Sequence, residues 1–291
     1  MTTVAAALAA ARAKLPASEA RLLLAHILQK SPTWLLGHDE QALDEDELQA
    51  FASLVARRAG GEPVAYLVGL REFFGRDFVV SSAVLIPRPE TELLVDIVLV
   101  KVGADATATI LDLGTGSGCI GVTLALELPW ARVTAVDASA AALQLARRNA
   151  ERLGARIDLR QSDWFSALGD DRFDLVVANP PYIAAADPHL AAGDLRHEPR
   201  AALSSGADGL DALRCIIAVA STHLAPDGQL WLEHGYDQAD PVRELLVAAG
   251  LVDIEQHRDL AGIIRVSGGR KKPESDCSRD QMRSESEREP G

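Results

Sequence analysis

Ile110-Leu111-Asp112-Leu113-Gly114-Thr115-Gly116-Ser117-Gly118 is the stretch on which the fold turns. An apolar run enters a glycine-rich turn, and the apolar pattern then resumes with helical spacing. Glycines let a chain turn tightly and let a ligand approach the backbone closely. The same order returns further on: strands are expected at 108–113, 132–137, 157–161, 173–178 and 228–233, and helices at 118–128, 139–152, 208–224 and 239–249. Alternating strand and helix predicts a parallel sheet covered on both faces, an α/β fold. Short strands near 252–257 and 263–267 are expected to close the sheet as an antiparallel hairpin. Residues 268–291 are rich in Gly, Ser and charge and predict a disordered end, the sheet domain being counted to 270 and the tail as 271–291.

Upstream the character differs. Residues 1–58 read as helices: Ala5 to Lys14, a second helix with Ser18 as its N-cap, and a third opened by Asp44-Glu45-Asp46-Glu47 and closed by Gly60-Gly61. They predict a small bundle, domain 1–66. Phe73-Phe74-Gly75-Arg76-Asp77-Phe78 alternates around a turn and predicts a β-hairpin within the linker 67–88. The prolines of Ile86-Pro87-Arg88-Pro89-Glu90-Thr91-Glu92 stiffen the approach to a helix over 91–101, and domain 89–270 follows.

Bulk properties narrow the function classes. The chain has 291 residues with 48% hydrophobic and 24% charged content, ordinary values for a globular protein. A formal net charge of −13 weighs against gripping nucleic acid through its phosphates, so no direct nucleic-acid binding is expected. No apolar run approaches the roughly 18 residues of a membrane helix, and no membrane association or signal peptide is expected. Cys119, Cys215 and Cys277 are scattered and fit a reducing cytoplasm. The histidine spacing suggests no metal site. A monomer is expected.

The glycine turn and its surroundings suit a nucleoside. Asp137 ends the second strand, 23 residues after Gly114, where a carboxylate can bind both ribose hydroxyls; it can equally cap the helix that starts near Ser139. Asp163-Trp164 follows the third strand. Trp164 can cover an adenine ring and Asp163 can accept from its amino group, although a core aromatic is the alternative for Trp164. Gly116 to Gly121 satisfies the G-x-G-x-x-G pattern of dinucleotide enzymes, but two residues late, because the strand stops at Gly114. Asp112 at the strand end would repel a pyrophosphate and suit a cation, and S-adenosyl-L-methionine carries an ammonium and a sulfonium.

Asn179-Pro180-Pro181-Tyr182 ends the fourth strand. A planar amide or aromatic amine is a poor nucleophile, because its lone pair is delocalised. The Asn179 side-chain carbonyl and the Pro180 backbone carbonyl are two acceptors that can grip both N–H bonds of one NH2 group and aim its nitrogen. Prolines fix φ and remove competing donors. Tyr182 offers a flat face for stacking. The bland alternative is a proline-rich turn after a buried strand.

With these segments in order, the chain resembles class I S-adenosylmethionine-dependent methyltransferases, and more closely the HemK-like peptide chain release factor glutamine methyltransferases. Gly69 to Gly75, Leu85 to Glu92, Asn179 to Ile183, Glu198-Pro199-Arg200-Ala201-Ala202-Leu203 and Gly209-Leu210-Asp211 carry the resemblance, which covers about 1–270. It implies a Rossmann-like fold with a mostly parallel seven-stranded sheet and an N-terminal helical domain for substrate recognition. It implies S-adenosylmethionine at Gly114, Thr115, Gly116, Ser117, Gly118, Asp137, Asp163, Trp164 and Asn179. It implies a substrate glutamine, from the Gly-Gly-Gln loop of a release factor, held by Asn179, Pro180, Pro181 and Tyr182, with Asn179, Pro180 and Tyr182 catalytic. Ile263-Ile264 and the residues after Arg270 depart from the family pattern. Glu198 is assigned no chemistry and is expected to pair with a neighbouring arginine. Two competing readings are an adenine-N6 methyltransferase acting on DNA or RNA, for which the same motif would serve a flipped base, and a nucleotide-binding dehydrogenase or non-catalytic binding module, which leaves Asn179–Tyr182 unexplained.

Overall fold

The computed structural model describes residues 1–103 and 107–273. It divides into two compact units, Met1–Pro87 with Ala186–Ser204, and Arg88–Ala185 with Ser205 onward.

The helical unit contains α1 (Val4–Ala11), α2 (Ala17–Leu28), α3 (Glu45–Ala59) and α4 (Val64–Val68). Thr3 caps α1 by accepting from the Ala6 N–H. Asp44 and Glu47 form a reciprocal capping box on α3, which fixes where that helix starts. Ser18 does not cap α2: it lies in the first turn, after Pro16, whose fixed φ of −54° already sets the entry. Val4, Leu23, Leu24, Phe51 and Val55 form the bundle core. The hairpin of β1 (Leu70–Phe73) and β2 (Arg76–Val79) turns at Phe74 and Gly75, with φ of 52° and 70°, the left-handed pair that matches strand twist.

Two expected boundaries shift. The hairpin belongs to the helical unit and is not a linker, and residues 186–204 return to that unit. Polar anchors account for the return: Arg58 donates to Asp194 at 2.7 Å, Arg196 donates to the Gly60 carbonyl at 2.7 Å, and buried Glu198 accepts from the Ile86 N–H at 3.0 Å.

The sheet unit opens with α5 (Glu92–Val102) and contains β3 (Thr109–Leu113), α6 (Cys119–Glu127), β4 (Arg132–Asp137), α7 (Ala140–Leu153), β5 (Asp158–Gln161), β6 (Phe173–Ala178), α8 (Asp211–His223), β7 (Leu224–Glu233), α9 (Ala239–Ala248), β8 (Leu251–Arg258) and β9 (Ile264–Lys271). The seven strands run in the order β5-β4-β3-β6-β7-β9-β8. β9 is antiparallel to both β7 and β8, and the other pairings are parallel. The chain order reverses between β3 and β6. The crevice outside the carboxyl ends of such a strand pair is where open α/β sheets bind ligands. Leu113 pairs with Ala178 there, so Gly114 and Asn179, far apart in sequence, leave the sheet side by side. A core of Leu111, Val176, Leu213, Leu230, Leu232 and Leu246 supports this edge; each such buried side chain contributes about 1.5–3 kcal/mol.

Ile264 opens β9 and pairs with Arg258 on β8, so the strand pairing is kept at this departure from the family pattern. β9 extends to Lys271, so the expected disorder from 268 is corrected. Gly268 and Gly269 lie in β9 because a Cβ there would strike the Trp231 ring and Ile254 respectively. Arg270 holds the end of β9 through Asp253 and Asp227. Of the expected tail, 274–291 lies outside the described residues, as does Cys277.

Candidate active site

Asp112 organises the glycine loop. It is fully buried, and its Oδ2 accepts from the Thr115 hydroxyl at 2.6 Å and the Gly121 N–H at 2.9 Å. Burial pushes its pKa up to about 6, against the lowering effect of these two bonds. Oδ1 is buried without a partner. Gly121 is glycine because a Cβ would stand 2.9 Å from that carboxylate. The late G-x-G-x-x-G match therefore serves packing between β3 and α6 and makes no pyrophosphate cradle.

The five loop residues divide by direction. Gly114 is exposed, and Gly116 has open space where a side chain would be. Thr115 and Ser117 are buried, and the Ser117 carbonyl accepts from Asn149 on α7 at 2.8 Å. Gly118 caps α6, and a Cβ on it would come within 3.2 Å of Ala146. Only Gly114 and Gly116 of this group present an open surface, and the other three brace it from within.

Asp137 stands at the end of β4 and accepts from the Gly116 N–H at 2.9 Å and the Ser139 N–H at 2.8 Å. The helix cap is Ser139, whose hydroxyl accepts from Ala142. Asp137 is thus the tie between the loop and β4, with lone pairs to spare on a half-buried carboxylate. Trp164 has a φ of 49°, an unfavourable backbone state for a bulky residue. Ser162 holds it there, donating to the Trp164 carbonyl at 2.8 Å and accepting from the Ala167 N–H at 3.0 Å. The indole consequently lies 3.4 Å from the Cβ position of Gly114. It also packs on the sheet core, so the core and ligand readings of Trp164 coexist. Asp163 is exposed beside it.

Asn179 follows β6. Its Nδ2 donates to Thr91 Oγ1 at 3.0 Å, while its Oδ1 is buried and lacks any partner. An unpaired buried acceptor costs about 1–3 kcal/mol, which marks the place where a donor is meant to come. Among the described residues, no hydrogen bond uses the carbonyl of buried Pro180. The half-buried Tyr182 ring packs against the core, and its hydroxyl donates to Glu233 Oε1 at 3.3 Å. Burial raises the Tyr182 pKa, so the phenol stays protonated. Pro181 is half-buried between them.

Four residues escaped sequence reasoning. Gln238 donates to the Tyr182 carbonyl at 2.9 Å, and Gly209 lets that backbone pass, since a Cβ would lie 2.3 Å from the same oxygen. Thr91 and Glu233 are each 1% exposed, and they accept hydrogen bonds from Asn179 and Tyr182 respectively. Burial pushes Glu233 up to about 7, while the hydroxyls of Thr91 and Tyr182 beside it favour its ionised form. Gly209 and Thr91 stood within segments that resembled the family, but nothing in their spacing tied them to Asn179. Cys119 is buried with its thiol pushed up to about 12 by that burial, which makes it no nucleophile. No cluster of His, Cys, Asp or Glu fit to hold a metal occurs among the described residues.

The chemistry of the loop fits S-adenosylmethionine: it has an exposed glycine surface, an indole beside Gly114, a half-buried carboxylate at the end of β4 and a buried carboxylate oxygen without a partner. Residues 89–238 match the Methyltransferase small domain, and residues 1–69 match the PrmC N-terminal domain. A release factor glutamine methyltransferase of Bordetella pertussis is 53% identical over 256 residues, covering 88% of this chain and 95% of the relative. The chain belongs to the release factor glutamine methyltransferase family. A second member, from Burkholderia pseudomallei, is 54% identical over 263 residues and covers 88% of this chain and 92% of the relative. A crystal structure of a methyltransferase from Pyrococcus furiosus shares the fold at a TM-score of 0.52 and 19% identity, covering 76% of this chain and 99% of that one. As a member of the release factor glutamine methyltransferase family, the chain is a protein-glutamine methyltransferase with S-adenosylmethionine as methyl donor. The adenine and dehydrogenase readings fall with that membership. No helix among the described residues is long and apolar enough to cross a membrane.

Proposed function

We propose that Asn179 and Pro180 hold the side-chain amide of the glutamine in the Gly-Gly-Gln loop of a peptide chain release factor, and that the chain methylates its nitrogen. The observation that carries this reading is Asn179 Oδ1, buried and unpartnered at the carboxyl end of β6. One glutamine N–H donates to Asn179 Oδ1 and the other to the Pro180 carbonyl. With both hydrogens held, the nitrogen lone pair is turned away from conjugation with its own carbonyl. S-adenosylmethionine, when bound, supplies an electrophilic methyl group on a sulfonium. Gly114 and Gly116 would face its methionine part, Asp137 would hold its ribose, and Trp164 with Asp163 would hold its adenine. The alkylated nitrogen is positively charged and sheds a proton afterwards, so no strong base is needed. Two carbonyl acceptors favour that developing charge, and positioning supplies the rest of the rate. Tyr182, with its ring held by the core, gives the amide plane a flat wall.

The helical unit, matched over 1–69 to the PrmC N-terminal domain, is assigned recognition of the release factor. Translation termination places this chemistry in the cytoplasm, and neither a nucleic acid nor a second copy is needed for it.

The test is transfer to a purified release factor, with mass spectrometry locating one added methyl on the loop glutamine. Asn179→Ala is expected to lose about 100-fold or more in kcat, while calorimetric affinity for S-adenosylmethionine changes by less than about threefold. Equal turnover in the variant and the natural chain overturns the assignment.

A further inference from the structure

Asn179 is useful only one way round. With Oδ1 toward the substrate, it offers an acceptor to the glutamine N–H. With the amide turned over, it offers two N–H donors to a group that is itself a donor, and the grip becomes a repulsion. Something must hold the orientation, and Asn179 cannot do so alone, because rotation about its last side-chain bond is easy.

The observed bond is Asn179 Nδ2 to Thr91 Oγ1 at 3.0 Å. A hydroxyl can also donate, and a donating Thr91 would favour the wrong orientation equally well. What Thr91 does with its one proton therefore decides the matter. Thr91 and Glu233 are both 1% exposed, so water offers no alternative partner to either. Glu233 follows Leu232 on β7, and Leu232 pairs with Ala178, the residue before Asn179. The sheet register thus brings Glu233 level with Asn179, and the Thr91 hydroxyl stands beside the Glu233 carboxyl. Tyr182 takes one oxygen of that carboxyl at 3.3 Å, and Oε2 is a buried acceptor without a partner of its own.

We propose that Thr91 and Glu233 form a positioning relay: Thr91 turns its hydroxyl proton toward the Glu233 carboxyl, presents only a lone pair to Asn179, and so fixes the side-chain amide with its oxygen facing the substrate. The inference rests on the reading of Asn179 given above and deepens it. It also gives a task to the Pro89–Thr91 turn, which otherwise only leads into α5. Pro89 starts that turn with a fixed φ, and the Thr91 N–H donates to the Arg88 carbonyl at 3.1 Å, so the threonine is delivered on a stiff support. Thr91 and Glu233 touch neither substrate nor reacting atoms, and they act through Asn179.

Four proteins test the relay: Thr91→Val, Thr91→Ser, Asn179→Ala, and the double variant Thr91→Val with Asn179→Ala. Each is assayed for kcat and KM on an intact release factor, for calorimetric binding of S-adenosylmethionine, and for melting temperature. Thr91→Val keeps the shape and removes the hydroxyl. It is expected to lower kcat about tenfold or more with binding of S-adenosylmethionine within about twofold. Thr91→Ser restores the hydroxyl and is expected to return kcat to within about threefold of the natural chain. In the Asn179→Ala background, Thr91→Val is expected to cost less than about twofold, because the group it orients is gone. If Thr91→Val lowers kcat equally in both backgrounds, or if Thr91→Ser fares as badly as Thr91→Val, the relay is wrong and Thr91 is only a packing residue. A Thr91→Val protein too unstable to assay leaves the decision to Thr91→Ser, whose failure to turn over while folded also overturns it. Full activity of Asn179→Ala, by contrast, removes the reading of the site itself.

Discussion

At the scale of the residue, the site is built from acceptors denied their water. Asn179 Oδ1, Asp112 Oδ1 and Glu233 Oε2 are all buried and unpaired. The protein bears that desolvation cost where ligands or positioning partners gather. Glu233 makes the cost measurable. Burial raises its pKa from 4.5 to about 7, so the folded state holds a proton that the unfolded state has released. Its stabilising contribution is complete below the unfolded value and is lost as pH rises through the folded one. Glu233→Gln removes that titration. Between about pH 4.5 and about pH 7.5, the natural chain is expected to lose on the order of 2 kcal/mol more unfolding free energy than the variant. Denaturant titrations of both proteins across that range check it, and parallel pH profiles would refute it. Sequence reading proposes Asn179 and Pro180 as an acceptor pair because that chemistry is carried by two adjacent residues. It could not reach Gln238, whose partner Tyr182 lies 56 positions away.

At the scale of the element, most strands and helices were legible because hydrophobic period and turn chemistry are local. The capping box of α3 and the left-handed turn of the β1–β2 hairpin are written in consecutive residues. β9 was not legible at its carboxyl end. Ser267-Gly268-Gly269 reads as a breaker by composition, but the glycines are required by what crosses them. A Cβ on Gly268 would stand 2.3 Å from Trp231 Cε3 and 2.4 Å from the Leu230 carbonyl oxygen. Gly268→Ala is expected to destabilise the fold by about 2–4 kcal/mol, as other overpacked or strained positions do. Thermal unfolding of the pure variant measures it, and a melting temperature equal to that of the natural chain would show that the sheet can give way. Ser18 failed as a cap for a related reason: Pro16 had already set the chain's entry into α2.

At the scale of the whole molecule, each unit has its own core, and the division does not follow chain order. Residues 186–204 sit with the first unit, although they lie between β6 and α8 of the second. Assigning the helical unit to release factor recognition directs attention to its exposed apolar side chains. Leu36 is 66% exposed, next to Trp34, which stacks on His38 at 3.8 Å between centroids. Such a side chain gains most from burial against a partner. Leu36→Asp is expected to raise KM for an intact release factor about fivefold or more, leaving binding of S-adenosylmethionine and melting temperature unchanged. Steady-state kinetics with the intact substrate decide it, and an unaltered KM removes Leu36 from the contact surface.

The amino-acid order by itself determined the alternation of strand and helix, the glycine turn after β3, the acceptor pair after β6 and the family. Each is encoded in neighbouring residues, where backbone sterics and side-chain chemistry act directly. Only the tertiary structure decided that Thr91 stands between Asn179 and Glu233, that Gly121 and Gly209 are demanded by a carboxylate and a carbonyl, and that 186–204 joins the first unit. Those contacts join residues that are not neighbours in sequence, from 9 positions apart for Asp112 and Gly121 to 136 for Arg58 and Asp194, and they exist only once strand register and packing have brought the segments together.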